Sequence, residues 1–153
     1  MSGIKNGTVK TRDLEKKLDR VFSEFVRLSA ADDNGVVKCF TCGNCHHWKE
    51  THCGHFIPRA RKATRYSETN CHPQCVRCNI YRHGEPDIYR QRLTEMYGKE
   101  AVEKLEADAR LGGNYDAYAL QMLINEYTAK VKQLKTEAAV KRIRKEHGLR
   151  NAQ

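Results

Sequence analysis

Acidic residues, aromatics and long apolar runs are all scarce in this chain. No stretch of about 18 apolar residues occurs, which excludes a membrane-spanning helix. Met1 to Thr11 lack the apolar segment of a secretory signal, so the chain is expected to stay in a reducing cytoplasm. Aromatics make up 8% and hydrophobic residues 39% of 153 residues. That is enough to fold, yet too little for a large self-sufficient core. Only 19 acids face 28 Lys and Arg, a net charge of +9. Such an excess favours a polyanionic partner, usually nucleic acid. The length suits one domain with helical extensions.

Cysteine and histidine are concentrated instead. All seven cysteines and six of the seven histidines fall between residues 36 and 84. In a reducing compartment such thiols serve as metal ligands more readily than as disulfides, and an odd count argues against complete pairing.

Periodicity divides the rest. Residues 1–10 read as a flexible arm and 11–32 as an N-terminal helix, with Leu14, Leu18, Val21, Phe25 and Leu28 at four-three spacing. Asp32-Asp33-Asn34-Gly35 is a stop. The cysteine-rich core covers 36–84, with strand-like pieces at Val36–Phe40 and around His55–Ile57 and a basic loop from Pro58 to Thr69. Residues 85–150 form a helical region. One helix opens at Pro86 and stops near Gly98, and a second runs from Lys99 to Leu111. A third, capped by Asn114, reaches as far as His147. Its seam of Leu120, Ile124, Tyr127, Val131, Leu134 and Ala138 packs either on the first helix or on another subunit.

Two C-x-x-C pairs, Cys39/Cys42 and Cys75/Cys78, can supply four thiolates to one tetrahedral structural Zn2+. Cys42-Gly43-Asn44-Cys45 offers an overlapping pair. Cys39 with Cys42 is preferred because Gly43 then lets backbone N–H groups approach sulfur. Cys53, Cys71, His46, His47 and His52 are further candidates, each more simply a surface histidine or a small buried thiol. Thirty-two residues, 43–74, separate the pairs, so something sizeable folds between them. A bound ion would also offset the small core.

The order His55, Asn70, Cys75-x-x-Cys78, Asn79 resembles the HNH nuclease signature. The resemblance implies an α+β, mainly helical chain with a zinc-stapled ββα-metal core between an N-terminal helix and C-terminal helices. It implies that His55 is the general base, Asn70 orients it, and Asn79 helps to hold a catalytic Mg2+ or Mn2+. The runs Cys-Gly-His-Phe-Ile-Pro-Arg, Asn-Cys-His-Pro-Gln-Cys and His-Gly-Glu, with the leading helix and helical tail, are similar to the phage NinG/Rap recombination proteins. That likeness implies a phage-encoded endonuclease, acting in a bacterial host on Holliday junctions and D-loops. One departure stands out. The residue before the catalytic His is often Asp, a metal ligand, and here it is Gly54. His72, His83 or Glu85 are candidates to complete the site, as is His55 itself.

Arg59, Arg61, Lys62 and Arg65 are the expected DNA-binding residues, with a second basic cluster at Lys141, Arg142, Arg144, Lys145 and Arg150. The expected partner is branched DNA, and a homodimer would match two opposed strands. The competing readings are a zinc-containing DNA-binding accessory protein without catalysis and a protein-interaction adaptor.

Overall fold

A computed structural model describes residues 10–148. The expected flexible arm lies almost wholly outside the described residues, as does Arg150. The architecture is mainly helical with two small two-stranded antiparallel sheets.

Helix α1, Thr11–Ser29, buries Leu14, Leu18, Phe22 and Val26, one residue per turn. That stripe packs on Leu120, Ile124 and Tyr127 of α4, Ala117–Glu146. Phe22 meets the Tyr127 ring edge-on, with centroids 4.9 Å apart. The seam therefore closes within the chain over its first half; beyond Val131 it opens, with Leu134 half-buried and Ala138 exposed. The α4 cap is Asp116, whose carboxylate accepts from the Ala119 amide at 2.7 Å, and Asn114 does not fill that position. Helices α2, Pro86–Tyr97, and α3, Lys99–Leu111, pair through Tyr89, Leu93, Val102, Leu105 and Ala109. No helix among the described residues is long and apolar enough to cross a membrane.

Between these two helical layers lie the sheets. Strand β1, Val36–Lys38, pairs with β2, Cys45–His47. Strand β3, Thr51–His55, pairs with β4, Cys71–Cys75, placing Gly54 opposite His72 and His55 opposite Cys71. The first strand is shorter than expected because the chain leaves the ladder at Cys39 to form the cysteine turn. The strand sought around His55–Ile57 lies earlier, since the Ile57 amide turns away to the Asn70 side chain. After β4 the chain enters one wide helical turn, Arg77–Tyr81, before α2.

The β3–β4 hairpin is held from both sides. Cys71 and Cys53 pack into the α1/α4 core. From α2, the fully buried Tyr89 donates its hydroxyl to the Gly54 carbonyl at 2.9 Å. Gln74, also fully buried, donates its amide to Thr41 Oγ1 at 3.1 Å and the Gly84 carbonyl at 2.9 Å. The Gln74 side chain crosses directly over Gly54. A Cβ there would stand 2.7 Å from Gln74 Cδ and 2.8 Å from its Cγ. In this register position 54 has no room for any side chain, aspartate included.

Gly54→Ala is expected to destabilise the fold by about 1–3 kcal/mol, an overpacking cost. Combining it with Gln74→Ala should cost less than the sum of the two single changes, because the colliding partner is gone. Urea midpoints at constant m-value measure both. A Gly54→Ala protein as stable as the parent would contradict the close approach.

Candidate metal centre and cleft

Cys39, Cys42, Cys75 and Cys78 converge from two turns. The first leaves β1, with the Gly43 amide bonded back to the Cys39 carbonyl at 2.9 Å and Gly43 at φ +76°. The second begins at the end of β4. The four sulfurs lie within 4.8 Å of one another, with Cys42 and Cys75 at 3.9 Å. Sulfurs around a tetrahedral zinc stand about 3.8 Å apart, so the donor set fits that ion. Cys45 sits exposed on β2 opposite Lys38, outside the cluster.

The thiols are electrostatically unequal. Burial pushes the Cys39 thiol up, but the amides of Cys42 and Cys75 and the Thr41 side chain outweigh it and take it down to about 6. Burial, reinforced by the neighbouring thiols, pushes Cys78 up to about 12. Without a cation, four thiolates cannot coexist in this space; a divalent ion would remove the conflict.

Immediately after Cys78, the wide turn brings Asn79 to β3. Its side-chain nitrogen lies 3.0 Å from Nδ1 of His52. Both residues line a cleft of about 610 Å3 along the outer edge of β3, together with His55, Cys53, Arg59, His83 and residues of α1. Side chains from the two faces of β3 reach this edge, which is how His52 and His55 share one cleft despite strand alternation.

His55 is half-buried. Its Nε2 lies 2.9 Å from the Arg65 carbonyl, and its Nδ1 faces the Cys53 carbonyl at 3.3 Å. A neutral ring carries one proton; the shorter contact favours it on Nε2, with the Nδ1 lone pair then on the side of the Cys53 carbonyl. Burial pulls the ring's pKa below its ordinary value, opposed by the two carbonyls. Asn70 is fully buried and clamps the loop that follows. It accepts from the Ile57 amide at 2.7 Å and donates to the Ile57 and Thr64 carbonyls, each at 3.0 Å.

The other expected residues divide. His83 borders the cleft, exposed, at φ +53°. Glu85 pairs with Arg82 at 2.9 Å. His72 is not brought to the cleft. It is buried against Phe40, with Nδ1 3.3 Å from the Tyr89 hydroxyl and Nε2 2.9 Å from the Tyr97 hydroxyl. Burial holds its pKa down at about 4. Among the loop cations, Arg65 forms a two-pronged pair with Asp19 of α1, and Lys62 pairs with Glu15 at 2.7 Å. Arg59 and Arg61 are exposed, although Arg59 also reaches Asp19, at 3.9 Å. Sequence reading missed the pairing of His52 with Asn79. Its one available signal was a histidine three residues before His55, and that spacing alone predicts opposite faces.

A larger groove of about 1070 Å3 separates α1 from the end of α4. Trp48, Lys49, Lys135, Lys141, Arg144 and Lys145 line it together with Glu24 and Asp33, which pair with Lys135 and Lys141. Lys49 borders both spaces.

The model of the family described as Bacteriophage Lambda NinG protein matches residues 3–137. The chain belongs to the NinG family. Protein ninG of Escherichia phage lambda is 30% identical over 94 residues, covering 61% of this chain and 44% of the relative. Protein ninG of Salmonella phage P22 is 28% identical over 121 residues, 78% of this chain and 57% of the relative. This NinG-family chain thus spans about half the length of the curated relatives it matches. No solved structure matches it.

Zinc binding to the four-thiol centre must release protons, and the amides around Cys39 favour its ionised form. The protons released by the first equivalent are expected to fall by about one between pH 5 and pH 7, as Cys39 ionises. Calorimetry in buffers of different ionisation enthalpy measures this. An unchanged count would contradict the assignment of Cys39.

Proposed function

We propose that this NinG-family chain is a metal-dependent DNA endonuclease acting on branched recombination intermediates such as Holliday junctions and D-loops. The observation that carries the reading is the anchored imidazole of His55, Nε2 against the Arg65 carbonyl and Nδ1 toward the Cys53 carbonyl, in the same cleft as His52 and Asn79.

In this reading Nδ1 of His55 takes the proton of a water that attacks the phosphorus, and the P–O3′ bond breaks. The imidazolium so formed is stabilised by both carbonyls, since Nδ1–H can then donate toward Cys53. Asn70 holds the loop that presents the Arg65 carbonyl, and Asp19 fixes the same residue from α1. Both are positioning residues. His52 and Asn79 would hold a Mg2+ or Mn2+ ion: turning the Asn79 amide over presents its oxygen beside the Nδ1 lone pair. One imidazole and one amide oxygen suit an ion that keeps most of its water. Bound there, that ion would stabilise charge on the scissile phosphate and the leaving oxygen. The full Cys39/Cys42/Cys75/Cys78 set leaves no open position and is structural.

Arg59 and Arg61 supply phosphate contacts beside the base, while Lys62 and Arg65 serve α1. The groove beside Trp48, with an excess of cations, shares Lys49 with the cleft, so two duplex arms could be held at an angle. That groove also favours a second reading, a zinc-stapled accessory protein that binds branched DNA without cutting it.

A labelled four-way junction and a matched linear duplex, incubated with protein in Mg2+ or Mn2+, separate the two. Cleavage of the junction is expected, falling about 100- to 10,000-fold in His55→Ala, with junction affinity retained. Tight junction binding without cleavage by either protein would overturn the nuclease reading in favour of the accessory one.

A further inference from the structure

A second group of potential metal ligands overlaps the cleft and adds to it one buried thiol, Cys71. The β3–β4 register sets His55 directly opposite Cys71, and Cys53 lies two residues before His55 on the same strand. Side chains in a strand alternate, so all three point to one face of the hairpin, toward α1. The sulfurs of Cys53 and Cys71 and a ring nitrogen of His55 lie within 4.8 Å of one another. Donors around one zinc ion stand about 3.4–3.8 Å apart, so small rotamer adjustments bring these three onto a single ion.

We propose that Cys53, His55 and Cys71 form a second soft-metal site, a three-ligand Zn2+ site that occupies the lone pair of His55.

Four features support it. Two thiolates and an imidazole select a soft or borderline ion such as Zn2+ and reject Mg2+. The Nε2–H bond to the Arg65 carbonyl is the companion that metal-bound imidazoles require, because it fixes the tautomer and frees the other nitrogen. Binding releases both thiol protons, and Zn2+ with two thiolates and a neutral ring carries no net charge. That neutrality matters because Cys71 is buried in the apolar α1/α4 core. Finally, Cys53 and His55 line the cleft, which gives the ion an entry path and turns the fourth coordination position toward solvent.

The site stands on this geometry alone. Its consequence rests on the reading of His55 as the base. A coordinated lone pair cannot accept a proton, so the zinc-loaded chain would be held inactive while the four-thiol centre keeps its own ion. Soft-metal occupancy and hydrolysis would be mutually exclusive at one imidazole.

The test uses the full chain, stripped with chelator under reducing conditions and reloaded with measured equivalents of Zn2+. Native mass spectrometry counts the ions, and Co2+ replaces Zn2+ for thiolate charge-transfer spectra. Two ions per parent chain are expected, with one in Cys53→Ala and one in Cys71→Ala. The second Co2+ equivalent should add a charge-transfer band that both variants lack. If Cys71→Ala does not fold, His55→Gln takes its place. A single ion in the parent would overturn the site, as would two ions in Cys53→Ala and His55→Gln. In Mg2+-supported junction cleavage, the second Zn2+ equivalent should slow the parent about a hundredfold. In Cys53→Ala the rates before and after that addition should be equal. Equal slowing in both proteins would overturn the inhibitory role. A parent that cleaves under no condition would instead overturn the nuclease reading, while the ion count would still decide the metal site.

Discussion

Everything at the cleft depends on the convergence of four sulfurs from two distant turns. A two-stranded hairpin is marginal in water, and β3–β4 has only five residues in each strand. The cluster of Cys39, Cys42, Cys75 and Cys78 ties the end of β4 to the turn after β1. It thereby fixes where the chain goes after Cys78. Asn79 is the next residue, so the thiol centre sets its approach to His52 as directly as any contact of its own. The backbone supports the same join, through the Phe40 amide bonded to the Pro73 carbonyl at 2.8 Å.

A second constraint comes from α1. Its apolar stripe packs on α4, while its polar edge reaches into the loop after β3. Asp19 grips the Arg65 guanidinium and Glu15 grips Lys62, and the Tyr66 hydroxyl lies 3.1 Å from Asp19. These contacts hold the loop from outside as Asn70 holds it from within. The Arg65 carbonyl is thus fixed where His55 meets it. A helix remote in sequence therefore positions the imidazole through the loop, and its Asp19 also favours the charged ring.

The helices were legible because each carries its own signals. Pro86 opens α2 and Gly98 ends it, Lys99 to Leu111 form α3, and the four-three spacing of Leu14, Leu18, Val21, Phe25 and Leu28 marks α1, although Phe22 and Val26 are more deeply buried than the last three. The four-thiol set was legible because C-x-x-C is a local constraint. Strand β4 was not, since Cys71-His72-Pro73-Gln74-Cys75 has no polar–apolar alternation: both of its faces are buried, one under α1 and one under α2. The pairing of Arg65 and Lys62 with carboxylates was not legible, because those partners lie some 46 residues away on α1. Gly54 looked like a missing metal ligand, yet it is the clearance for Gln74, a relation visible only once the register is known. His52 and Asn79, 27 residues apart, meet for the same reason.

The proposed divalent ion sits between His52 and Asn79, in the cleft they share with His55. Crystals of the zinc-loaded protein with one ion per chain, soaked in Mn2+, would show this directly by anomalous scattering at the manganese edge. The prediction is a manganese peak in the cleft, bonded to His52 Nδ1 and the Asn79 side-chain oxygen, with zinc retained at the four thiols. A cleft without manganese, or an ion bound elsewhere while His52 and Asn79 stay paired with each other, would contradict it.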